Sequence, residues 1–245
     1  MRAAAATPLS RRAPLLANAL MGQAEYLSGY HRRIMINTAT LPSLFTERLV
    51  LRGLMERDID ALFAIFSDPE VMRYWNAPAM VERTEAVALL KRVQVSFAQR
   101  TAFRWGIARR ADDQIIGTCS LFHFEEESWR AEVGYALGQP YWGQGYIQET
   151  LRAVLDYGFA TLNLHRIEAE IDPENSASVR AVERLGFVGE GLLRERWLVE
   201  GKTSDSLMMG LLRREWDSRT NQPTNLHAKD FLQNNVVITV RTFKS

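Results

Sequence analysis

Gly143 and Gly145 stand one residue apart, directly before a segment in which Ile147, Leu151, Val154, Leu155 and Phe159 recur at roughly 3.6-residue spacing. That pattern is an amphipathic helix, and its first turn carries N–H groups that have no intrahelical acceptor. Glycines allow the preceding backbone a positive φ and a close approach to a ligand. Together these features make a cradle for an anion such as a phosphate. The helix dipole would favour the anion by roughly 0.3–1 kcal/mol at an exposed site and up to ~2 kcal/mol when partly buried. The amides on offer are those of Trp142, Gly143, Gln144, Gly145 and Tyr146. The same glycines would also serve a plain strand-to-helix turn, and their spacing alone does not separate the two uses.

The elements around this loop can be read in order. Residues 46–52 alternate as a strand. Residues 58–66 form a helix that Asp58 is placed to cap, and residues 82–99 form a second, with Ala86, Leu89, Leu90, Val93 and Phe97 on one side. A short aromatic segment at 71–76 lies between them. Strands follow at 103–108, 114–122 and 130–137, the first two joined by the polar turn 109–113. After the loop and a helix running to about Leu162, residues 165–171 alternate cleanly. A helix separates 130–137 from 165–171, so these two strands should be parallel with a right-handed crossover. Asn175 then caps a helix built on Val179, Val182 and Leu185, and Gly186 ends it. Residues 189–198 and 204–211 close the domain as a hairpin.

Two stretches carry a resemblance. Pro140-Tyr141-Trp142-Gly143-Gln144-Gly145-Tyr146, followed by Glu149, resembles the acyl-CoA loop of GNAT-superfamily N-acetyltransferases, in the branch of ribosomal-protein N-terminal acetyltransferases (RimJ/RimL-like). The run from Asp172 to Phe187 resembles that family's second signature, at the expected separation. Pro140 departs from the usual Gln or Arg three residues before the first glycine, which removes a side-chain contact but no backbone donor. The resemblance covers about residues 44–216.

It implies an α/β (α+β) fold: a central mixed, mostly antiparallel sheet, splayed between its fourth and fifth strands (130–137 and 165–171), with helices on both faces. It implies acetyl-CoA as cofactor and an amine as acceptor. The main chain of Tyr135, Ala136 and Leu137 and the side chain of Asn175 would meet the pantetheine arm, and the amides of residues 142–146 the diphosphate. Gly134 would favour a local departure from regular pairing. Glu132 is the candidate base, directly or through water, its alternative being a salt-bridged structural carboxylate. Ser178 is the candidate hydrogen-bond donor to the cofactor's departing thiolate, its alternative being a first-turn residue bonded to backbone. Tyr74 and Trp75, on the connection between the first two helices, are candidate acceptor contacts or else core residues.

The chemistry sets different demands for different acceptors. A free α-amine, whose ordinary pKa is about 7.7–8.0, is on the order of a tenth neutral at pH 7, whereas a lysine near 10.4 is neutral in fewer than about one molecule in a thousand. Positioning against the thioester then supplies much of the catalysis for an N-terminal amine, up to ~7–11 kcal/mol in ideal cases.

Composition narrows the alternatives. Of 30 basic and 29 acidic residues, five arginines and Glu25 precede residue 46, leaving 25 and 28 in the remainder, a net charge of −3 that suits amine substrates. The overall +1 argues against a general nucleic-acid or membrane-surface binder. Cys119 is the single cysteine, and His31, His123, His165 and His227 show no metal-ligand spacing, so no metal site is expected. No apolar run reaches the roughly 18 residues that span a bilayer, and a cytoplasmic location is expected. Residues 1–44 read as a disordered extension with weak export- or transit-like features, or as sequence upstream of a start at Met35. The tail 217–245 contains Val236-Val237-Ile238-Thr239-Val240, which suits pairing with a partner chain, so a homodimer is one expectation. A non-catalytic CoA-binding regulatory module is the alternative function, and a nucleic-acid binder using the arginine-rich N-terminus is a third.

Overall fold

In the computed structural model, which describes residues 40–220, eight strands form one sheet. They are β1 (Leu44–Phe45), β2 (Leu49–Arg52), β3 (Ala102–Arg109), β4 (Ile115–Glu125), β5 (Arg130–Leu137), β6 (Arg166–Ile171), β7 (Val188–Val199) and β8 (Lys202–Leu212). Their spatial order is β1-β2-β3-β4-β5-β6-β8-β7. All pairs are antiparallel except β5 with β6, the pair joined through a helix. The readings placed on residues 1–39 and 221–245, including the export- and transit-like features and the apolar run at 236–240, lie outside the described residues.

Two apolar clusters sandwich the sheet. One takes Phe103, Trp105, Ile107, Leu121 and Val133 from the strands. Against them pack α4 (Tyr146–Asp156), α5 (Ser176–Glu183) and α6 (Arg213–Thr220), through Leu151, Val154, Leu155, Val182 and Trp216. The other takes Leu54, Ala108, Ile115 and Ala136, covered by α1 (Ile59–Phe66), α2 (Pro69–Met72) and α3 (Arg83–Ala98). Helices therefore lie on both faces, as the strand alternation requires.

Three local differences from the sequence reading have physical causes. Of the expected strand 46–52 only Leu49–Arg52 is strand, preceded by the separate β1, because Thr46 closes a turn: its N–H donates to the Leu49 carbonyl at 3.0 Å, and its Oγ1 accepts from the Leu49 N–H at 3.0 Å. Asp58 does not cap α1. Its carboxylate accepts from the Met55 N–H at 2.8 Å, capping the short 3₁₀ turn Glu56–Asp58, and pairs with the Arg52 guanidinium at 2.7 Å. The hairpin β7–β8 is longer than read, because Glu200 and Gly201, with φ of 49° and 79°, make a tight two-residue connection.

Candidate active site

The loop from β5 to α4 is held by its own carbonyls. Gln139–Tyr141 form a 3₁₀ turn, the Trp142 indole N–H donates to the Leu137 carbonyl at 2.7 Å, and Gln144 Nε2 donates to the Pro140 carbonyl at 2.8 Å. Gly143 and Gly145 have φ of 72° and 80°, and Gly145 is the N-cap of α4. In that left-handed conformation an L side chain costs roughly 1–2 kcal/mol. The Trp142 amide, expected in the cradle, instead donates to the Gln139 carbonyl at 3.1 Å, while among the described residues no protein acceptor meets the amides of residues 143–148. Gln144 turns its side chain back, and its contribution to an anion is its main chain.

A clamp that sequence reasoning missed fixes this loop to the start of β2. Glu149, in the first turn of α4, accepts from Thr46 Oγ1 at 2.6 Å, from the Arg48 N–H at 2.7 Å and from Arg48 Nε at 2.7 Å. Arg48 also donates to the Gln144 carbonyl at 2.9 Å and lies 4.4 Å above the Tyr146 ring. Burial pushes the Glu149 carboxyl up, but the hydrogen bonds from Thr46 and Arg48 outweigh it and hold the group below its ordinary value. The only local signal was Glu149 itself.

The splay is visible in the register. β5 and β6 pair only at Arg130 with Arg166, Ala131 with Ile167 and Glu132 with Glu168. From Val133 to Leu137 the β6 side of β5 has no strand partner among the described residues, while its other side pairs regularly with β4. Gly134 lies in the stretch that has left β6, where a departure from regular pairing was expected; on the other side it stays in register with Ser120 and makes room for a ring, since a Cβ there would lie 3.0 Å from Phe122 Cε1. The main chain of Tyr135, Ala136 and Leu137 lies along this open edge, where an extended amide-bearing arm can hydrogen-bond as a strand would.

On the α1–α3 face, Glu132 is the last paired residue of β5. Its side chain is 17% exposed, and its Oε2 lies 3.0 Å from Nδ1 of His123, whose side chain is 74% exposed. Burial pushes the Glu132 carboxyl above its ordinary value; contact with His123 lowers it by less, and the charges of Glu170 and Glu168 add to the rise. Glu168 is offset by Arg130 and Arg166 at 2.7 and 2.8 Å, and Glu170 by the Trp197 indole at 2.7 Å and Arg196 at 3.4 Å. His123 escaped the sequence reading because simple alternation puts it on the Leu121 face. A bulge between Phe122 and Glu125, with φ of 50° at His123, brings its ring to Glu132 instead.

On the opposite face, Asn175 Oδ1 caps α5 by accepting from the Ser178 N–H at 3.1 Å. Ser178 Oγ lies 2.7 Å from the Tyr135 hydroxyl, a pair that spacing did not suggest. Burial pushes the Tyr135 phenol up to about 12 despite the hydrogen bond with Ser178, which lowers it. It is therefore a proton-bearing group at neutral pH. Gln148 Nε2 reaches the Ala181 carbonyl and ties α4 to α5. Trp75 packs edge-on against Phe66 at 5.7 Å within the second cluster, and Tyr74 lies half-buried beneath Arg73. Among the described residues no hydrogen bond or ring contact joins either aromatic to Glu132 or His123.

Cradle, open edge and flanking helices fit a long ligand with a diphosphate at one end and an amide-rich arm, and the comparisons agree. The acetyltransferase (GNAT) domain family matches residues 48–188. The protein named "Uncharacterized N-acetyltransferase p20" of Bacillus licheniformis is 38% identical over 176 residues, which are 72% of this chain and 99% of that one. The ribosomal protein uS5-alanine N-acetyltransferase of Escherichia coli is 29% identical over 181 residues, 71% of this chain and 92% of that one. Among solved structures, spermidine N-acetyltransferase from Vibrio cholerae in complex with CoA and spermine superposes with a TM-score of 0.62 at 25% identity, covering 69% of this chain and 98% of that one. The chain accordingly belongs to the GNAT acetyltransferases, enzymes that use acetyl-CoA as the acyl donor.

Proposed function

We propose that the protein acetylates a primary amine, first of all the α-amine at a protein N-terminus as in the RimJ/RimL-like branch, with small amines as the other acceptor class. The observation that carries this reading is the pairing of one half-buried carboxylate, Glu132, with an exposed imidazole at the mouth of the splay. Such a base suffices for an α-amine, which is already partly neutral, and is modest for a lysine. The Escherichia coli relative named for an alanine of ribosomal protein uS5 supports the first acceptor, and the Vibrio cholerae structure named for spermidine supports the second.

When bound, acetyl-CoA supplies an acetyl thioester whose carbonyl carbon takes the amine nitrogen while the thiolate leaves. The amides of Gly143 to Tyr146 would hold its diphosphate, and the Val133 to Leu137 edge with the Asn175 amide its arm. Glu132 attracts the ammonium form of the acceptor and takes its proton at a carboxylate oxygen. Ser178 would offer its hydroxyl as a hydrogen-bond donor to the departing thiolate, with the Tyr135 phenol 2.7 Å away holding it in place.

Thiol release from acetyl-CoA tests the reading with three acceptors: peptides with a free α-amine, the same peptides N-acetylated but carrying lysine, and spermidine. Turnover of the first is expected, with the lysine peptide far slower. A clear lysine preference would overturn the choice of acceptor, and CoA binding with no turnover on any amine would favour a regulatory module.

A further inference from the structure

Resting on the reading of Glu132 as proton acceptor, we propose that His123 is the outlet through which that proton reaches solvent. The two groups differ in the one respect that matters for an outlet. Glu132 is mostly enclosed, while the His123 ring, 3.0 Å from it, is 74% exposed. A carboxylate shielded from water discharges a proton slowly unless a neighbour takes it, and imidazole is the side chain whose charge changes most readily between pH 5 and 8.

The other charged groups facing Glu132 cannot serve. From β6 come Glu168, bound by Arg130 and Arg166, and Glu170, held by Trp197 and Arg196; Arg130 on β5 itself is a permanent cation. His123 on β4 is the titratable side chain in hydrogen-bond contact with Glu132 among the described residues. Its left-handed backbone in the bulge sets the ring edge-on against Phe122, with centroids 4.7 Å apart, brings Nδ1 to the carboxylate and leaves most of the ring in water.

The proton count closes. The acceptor ammonium gives one proton to the Glu132 carboxylate. At rest the ring donates its Nδ1–H to the carboxylate; once Glu132 holds the proton, exchange with water at the exposed ring gives the Nε2–H tautomer, the carboxyl passes its proton to Nδ1, forming imidazolium, and the Nε2 proton leaves to water. That returns the ring to its starting Nδ1–H tautomer, with one proton moved from acceptor to solvent and no other group changed. His123 acts through Glu132 and is a positioning residue in that sense.

The test uses the full chain with His123→Ala, His123→Gln and Glu132→Gln, and the fastest amine of the panel above. Both His123 variants should lose about tenfold in kcat, less than the roughly 100-fold at which direct proton transfer begins because His123 acts through Glu132, with KM for acetyl-CoA unchanged. In His123→Ala the acid limb of the kcat profile should move to higher pH, because the contact that lowers the Glu132 carboxyl is gone. Added imidazole should restore rate to His123→Ala but not to Glu132→Gln. Independently of any acceptor, the ring 15N shifts of His123 should report a weaker hold on the Nδ1–H tautomer in Glu132→Gln. Normal rate and profile in His123→Ala beside a slow Glu132→Gln would overturn the outlet and leave the base standing. Full rate in His123→Gln, or no response to imidazole, would reduce His123 to a hydrogen-bonding prop. A fully active Glu132→Gln would remove the base reading and the outlet together.

Discussion

Glu132 and Ser178 lie on opposite faces of β5, so the groups proposed to take and to give a proton approach the open edge from two sides. Replacing Glu132 by Gln keeps size and hydrogen bonding but removes the proton acceptor. The expected result is a loss of about 100-fold in kcat with a peptide α-amine, with CoA affinity by calorimetry unchanged. Ser178→Ala and Tyr135→Phe should each slow turnover by only about three- to tenfold, and the double variant by little more than either, because a thiolate with an ordinary pKa near 8.5 leaves readily. At this scale the sequence was legible where a residue's place follows from its own position on a strand, as that of Glu132 on β5 does. It was not legible where two side chains meet by tertiary approach, as Tyr135 and Ser178 do across 43 residues.

The loop and α4 work as a unit because Glu149 anchors the first turn of the helix to β2. Gly145→Ala should cost roughly 1–2 kcal/mol of stability from the left-handed backbone. It should also weaken CoA binding about fivefold as the amides shift, measured by thermal melts and calorimetry. Arg48→Gln should weaken CoA binding by about threefold with kcat at saturation preserved, since it loosens the loop without touching Glu132. The glycines, the apolar stripe of α4 and the alternation of β6 made this strand, helix, strand unit readable from local spacing. The clamp was not, because its partners lie 101 residues apart. Asp58 shows the same limit: its place before an apolar run reads as a cap, yet a buried Arg52 claims it, and ion pairing outranks local preference.

For the molecule as a whole, the pKa directions set an acid limit. Glu149, Asp113 and Glu190 are held below their ordinary values, Glu149 by Thr46 and Arg48 against burial, Asp113 by Arg52 and Glu190 by Arg166. Their contribution to stability is complete above the ordinary carboxylate range and is lost as pH falls through it. Glu132 and Asp156, raised by burial, act in the opposite sense. Denaturant midpoints measured from pH 7 down to 3 should therefore fall, and Glu149→Gln should flatten the curve. Among the described residues no helix is long and apolar enough to cross a membrane. The one parallel pair followed from its helical crossover and the two helical layers were implied by the family resemblance, whereas the three-residue length of the β5–β6 pairing is a tertiary feature that no local pattern encodes. On the proposed reading, the coenzyme would supply the rung that this short pairing leaves out. Amides along Val133 to Leu137 should exchange with deuterium quickly in the free enzyme and slowly once CoA fills the gap. At a hundred times its dissociation constant the ligand should add about 2.7 kcal/mol to folding, so the melting temperature would report the cell's supply of coenzyme A.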